Sequence, residues 1–139
     1  MSVVLIKTDN FNSHEIIHRN PEDLPDQLAP IAYALTYRMQ SFREFVNHKE
    51  NENIRINVTS GYRNPLYNKE IGGAEKSFHI WRFTDEGQMV WALDINSLDL
   101  QTSKLYEYAV QFFKGEVYLN TNQNIVHVSD YGPKENWIS

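Results

Sequence analysis

Residues 60–79 read SGYRNPLYNKEIGGAEKSFH, a run so dense in Gly, Asn, Pro and Ser that it predicts a long structured loop. On its amino-terminal side, residues 54–58 alternate apolar with polar, as a half-buried strand does. On the other side, Met89 to Ile95 is apolar and β-prone enough for a second strand. Further upstream, Leu24, Leu28, Ile31, Leu35, Met39, Phe42 and Val46 recur every three or four residues. That spacing predicts an amphipathic helix over Pro21 to Asn47, with Pro30 as a kink or a restart. Downstream, Leu105, Tyr108, Ala109 and Phe112 predict a second helix over Ser103 to Phe113, followed by short strands at 116–119 and 125–129. Helices come early and strands mostly late. The class expected is therefore α+β, a small and mostly antiparallel sheet with flanking helices.

The chain has 139 residues, a length that suits a single domain spanning 1–139. Apolar residues make up 41% and charged residues 22%, enough for an ordinary core without disulfide staples. A net charge of -5 argues against a phosphate-binding surface, so no nucleic-acid partner is expected. Cysteine is absent, which excludes disulfides, thiol nucleophiles and cysteine metal sites. A metal would have to sit on histidines and carboxylates. No run approaches the length of a membrane span, so no membrane insertion is expected. The opening MSVVLIKTDN lacks a basic leader and a long apolar region, implying cytoplasmic synthesis without a signal peptide.

Five histidines are present. His14, His18 and His48 lie in or beside polar turns or helix ends, His14 at a helix amino terminus, where a solvated role is the plain reading. His127 and Asp94 differ. Strand alternation in IVHVS sends Val126 and Val128 to one face and His127 to the other. In VWALDIN it likewise opposes Asp94 to Leu93 and Ile95. An imidazole and a carboxylate so placed on neighbouring strands can converge on one metal, or simply hydrogen-bond on a solvated sheet. Those two strands alone leave both readings open. The loop adds Arg63 directly after a strand, in a turn stiffened by Pro65, and adjacent glycines at 72 and 73 before His79. So many conformational constraints suit a site that must fix a cation and a charge-stabilising guanidinium.

This string, followed by ALDI and later by VHV, resembles the D-alanyl-D-alanine carboxypeptidase-like zinc peptidases. That family acts on bacterial cell-wall peptides, includes phage endolysins, and shares its fold with Hedgehog signalling domains. The resemblance covers most of the chain. It implies His79, Asp94 and His127 as ligands of Zn²⁺, Arg63 as the group supporting the oxyanion, and Ser77 as a holder of substrate or loop. It implies Tyr62, Asn68, Gly72 and Gly73 as shapers of the loop. The function implied is hydrolysis of a peptide bond in peptidoglycan stem peptides, after lysis or delivery by other machinery.

Two departures stand out. The spacing from His79 to Asp94 is about twice the family's usual one, and residues 80–93 read IWRFTDEGQMVWAL. A β-hairpin turning at Asp85-Glu86-Gly87 would absorb that insert, overhang the cleft and offer residues 80–92 to a protein partner. Asp85 or Glu86 could replace Asp94 as ligand, but ALDI keeps the family's local pattern. The second departure is the general base: Asn124 and Ile125, just before His127, cannot take a proton. Asp130, Glu116 or a residue of the insert are the substitutes. The alternative function is a non-catalytic domain of the same fold, a binding or structural component of a phage or injection particle.

Overall fold

Three prolines decide where the first long helix begins. In the computed structural model, which describes residues 4–139, the expected helix over Pro21 to Asn47 starts later. Pro21–Asp23 and Asp26–Leu28 form separate 3-10 turns, and the helix proper is Ala29–Glu50 (α2), with Pro30 in its first turn. Proline has no N–H to donate and disfavours helical geometry in the residue before it, so Leu24 before Pro25 is extended and the first turn ends there, whereas Ala29 before Pro30 is already helical. In a first turn the missing donor costs nothing, which makes Pro30 a restart and not a kink. Ile31, Leu35, Met39, Phe42 and Val46 are all buried along one face of α2, as their spacing requires. A short helix precedes it, Ser13–Ile17 (α1), started by a capping box in which Asn12 and Glu15 hydrogen-bond each other's backbone N–H. His14 thus sits in a helix's first turn.

The main sheet has five strands: Asn57–Ser60 (β1), Leu93–Asn96 (β4), Glu116–Asn120 (β5), Ile125–Val128 (β6) and Glu135–Ile138 (β7). Their order is β1-β4-β6-β5-β7, antiparallel except for the parallel pair β5–β7. The α+β class and the mostly antiparallel sheet are as expected, and β7 is an addition. The last helix, Thr102–Phe112 (α4), packs on β5 and β6. Leu93, Ile95, Val117, Val126 and Val128 join Leu105 and Phe113 in the core, each worth about 1.5–3 kcal/mol by burial. Phe42 of α2 meets Phe113 at 4.9 Å between ring centres.

Three local expectations shift. Ile54 and Ile56 are buried, but ladder pairing begins only at Asn57, so the first strand runs later than 54–58. The loop of residues 60–79 contains a helix, Pro65–Glu70 (α3), because Asn64 accepts from the Tyr67 N–H at 2.7 Å and Pro65 fits a first turn. The strand expected from Met89 to Ile95 divides. Met89–Val90 (β3) pairs with Arg82–Phe83 (β2) as a hairpin, while β4 joins the main sheet. The hairpin turns through Asp85, Glu86 and Gly87, the last at φ +84°. Buried Trp81 anchors its base by donating to the Ala92 carbonyl at 3.2 Å. No helix among the described residues is long and apolar enough to cross a membrane.

Candidate metal centre

A one-residue register shift in β1 brings Ser60 opposite Asp94, and Asp94 is in turn the direct partner of His127. Because side chains alternate along a strand, these cross-strand partners share one face of the sheet. That face is opposite the one carrying Leu93, Ile95, Val126 and Val128, as the alternation in the sequence implies.

His79 arrives from the loop and is pinned twice to the end of β1. Its carbonyl accepts from the Arg63 N–H at 2.8 Å, and its Nδ1 donates to the Gly61 carbonyl at 2.8 Å. Gly61 passes against α1: a Cβ there would fall 2.0 Å from the Ile16 carbonyl oxygen, so no other residue fits without moving backbone. The Ser77 hydroxyl accepts from the His79 N–H at 3.2 Å, which places it as a brace for this loop. Asn68 is buried within α3, donates to the Ala74 carbonyl at 2.8 Å and accepts from Arg63 Nη1 at 3.3 Å. Loop and guanidinium are thereby tied together.

His79, Asp94 and His127 each offer a donor atom, and these atoms lie within 4.8 Å of one another. Asp94 Oδ1 is 3.2 Å from His79 Nε2 and 3.1 Å from His127 Nδ1. The other nitrogen of each ring is already committed. His79 Nδ1 faces a carbonyl, which only accepts, and His127 Nε2 faces Glu116 Oε1 at 2.6 Å. With protons on those outer nitrogens, neutral rings aim two bare lone pairs at the same carboxylate oxygen. Three such donors in a site this buried hold together only around positive charge, either extra protons or a metal ion.

The proton affinities follow that demand. Burial pushes the Asp94 carboxyl up, but hydrogen bonds from His127 and His79 outweigh it and hold the group well below the usual carboxylate range. Burial pushes His127 down, but its bonds to Asp94 and Glu116 outweigh that and raise it to about 9. Two imidazoles and one carboxylate are also the donor set of an open zinc site, in which the outer nitrogens are oriented by carbonyl or carboxylate partners. The residues fit a metal.

Arg63 stands at the rim, with Nη2 3.9 Å from Asp94 Oδ2 and a buried Nε that has no hydrogen-bond partner among the described residues. Among the substitutes considered for the base, Asp130 is elsewhere, bonded to Arg38 at 2.8 Å and 3.1 Å and to the Lys114 N–H at 2.8 Å. Asp85 and Glu86 are exposed at the hairpin turn, and neither belongs to the converging donor set. Glu116 alone of these four touches the centre, through His127. Its signal was in the sequence: across the 120–125 turn, strand alternation puts Glu116 and Tyr118 on the face of His127. The Gly61 carbonyl, a backbone group, left no such mark. A family model described as Peptidase M15 matches residues 9–129. No curated protein and no solved structure matches the chain.

Proposed function

The chain belongs to the peptidase M15 family, and from that premise we propose that it hydrolyses a peptide bond in bacterial peptidoglycan stem peptides with one Zn²⁺ held by His79, Asp94 and His127. The observation that carries the reading is the convergence of His79 Nε2 and His127 Nδ1 on one oxygen of Asp94, with each outer nitrogen already fixed. Zinc in such a site supplies Lewis acidity toward the scissile carbonyl and lowers the pKa of its water toward 7.

The chain's own residues supply the rest. The Gly61 carbonyl and Glu116 fix the ring orientations of His79 and His127, so that both ligand lone pairs face inward. Arg63 reaches Asp94 at ion-pair distance but not at hydrogen-bond distance, so Nη2 keeps a donor for the substrate's carbonyl oxygen. Asn68 holds that guanidinium from behind. Ser77 is a positioning residue, bracing the backbone of His79. Glu116 Oε1 accepts the Nε2 proton of His127, which makes it a positioning residue for that ligand.

The test is product analysis by mass spectrometry after incubating zinc-loaded protein with muropeptides from several wall chemistries. A chelated sample and a His127→Ala variant run alongside. New fragments absent from both controls establish the activity, and their masses name the bond. Bound zinc without any cleavage would replace this reading with the non-catalytic domain, which the lack of a proton acceptor at Asn124 and Ile125 favours.

A further inference from the structure

The carboxy-terminal strand β7 lies beyond residue 129, where the family match ends. All four of its residues are exposed, so it adds little to the core. Covering the open edge of β5 explains its backbone, but an edge cover asks for polar side chains and not for a tryptophan. Trp137 has another relation to the fold. In register, Trp137 pairs with Tyr118, Tyr118 with His127, and His127 with Asp94. These four form one transverse row on a single face of the sheet, two candidate ligands followed by two aromatics. The aromatic rings stack at 5.0 Å with an interplanar angle of 20°.

Three of the row, His127, Tyr118 and Trp137, line an open, largely apolar cavity of about 270 Å³, together with Phe78, Lys76 and Glu116. Phe78 is steadied from behind by an edge-on contact with Tyr131 at 5.2 Å. The cavity therefore begins at a ligand of the proposed centre and extends along aromatic faces. Such a surface takes uncharged bulk, not an isolated ion.

We propose that Trp137, with Tyr118 and Phe78, forms a substrate subsite that receives an apolar stretch of the peptide beside the scissile bond, so that the carboxy-terminal strand sets specificity. The proposal rests on the peptidase reading for its substrate but not for its test. Trp81 and Trp91 are 1% and 2% exposed, against 41% for Trp137, so quenching by a soluble quencher of tryptophan fluorescence reports chiefly on Trp137, with Trp137→Phe giving the background from the other two.

The experiment measures acrylamide quenching of the metal-loaded and the chelated protein while muropeptides are added, and compares wild type with Trp137→Phe and Trp137→Ala. Added peptide is expected to shield the wild-type signal in either metal state. Where turnover is found, Trp137→Ala is expected to raise KM on the order of tenfold, with kcat, melting temperature and zinc affinity little changed and Trp137→Phe largely restoring KM. Shielding without cleavage upholds the subsite and removes the peptidase reading. Cleavage without shielding, or an unchanged KM in Trp137→Ala, overturns the subsite and leaves the peptidase reading standing.

Discussion

Removing the carboxylate of Glu116 probes the centre from outside its donor set. Glu116 Oε1 lies 2.6 Å from His127 Nε2, the short separation of a charge-assisted hydrogen bond, whereas the matching nitrogen of His79 is held by a neutral carbonyl at 2.8 Å. Losing an outer partner of a metal-bound imidazole lowers metal affinity by about 10- to 100-fold, which is about 1.4–2.7 kcal/mol. The Glu116 side chain is 22% exposed, so water screens part of its charge and the lower end applies: about tenfold for Glu116→Ala. Glu116→Gln keeps an acceptor oxygen but loses the charge, and a loss of a few-fold is expected. Zinc titration against a competing chelator at fixed pH reads the affinity, and circular dichroism confirms that each variant is folded. A Glu116→Ala variant that binds zinc within about twofold of wild type, while its turnover collapses, would refute the orienting role. Glu116 would then act on substrate or water alone.

Four other outcomes are expected. Asp130→Asn should lower stability by about 1–2 kcal/mol in denaturant melts, because the Arg38 pair and the Lys114 N–H lose a charged acceptor, yet leave zinc affinity and turnover unchanged. Gly61→Ala should lower both the melting temperature and zinc affinity, since relieving the clash with Ile16 moves the carbonyl that orients His79; an unaffected zinc affinity would break that link. In chelated protein, the raised pKa of His127 stabilises the fold fully below the unfolded value of about 6.5. That contribution is lost as pH rises through about 9, so melts of the chelated protein should fall across this window. Trp81→Ala should destabilise by about 3–5 kcal/mol, because a fully buried indole and its bond to Ala92 both go.

The parts of this fold that follow from periodicity could be read in the residues. The buried stripe of α2 and the opposed faces of β4 and β6 repeat at the spacing of a helix turn or a strand pleat, and burial enforces both. Asp94 and His127 became legible for the same reason, since each breaks an apolar strand on its polar face. His79 depended on the motif, because no periodicity points from a loop to a sheet. What could not be read rests on backbone or on distant pairing. The delayed start of α2 depends on how three prolines share one turn after another, and α3 on a single cap at Asn64. β7 is four exposed residues with no apolar alternation toward a core, and only its register with β5 reveals what Trp137 faces.

The proposed zinc site lies between His79, Asp94 and His127. X-ray anomalous diffraction at the zinc edge, on crystals of the zinc-loaded chain, tests it most directly. A single strong peak is expected within bonding distance of His79 Nε2, Asp94 and His127 Nδ1, lost in His127→Ala crystals. No peak there, or a peak on other side chains with these three still joined by hydrogen bonds, would contradict it.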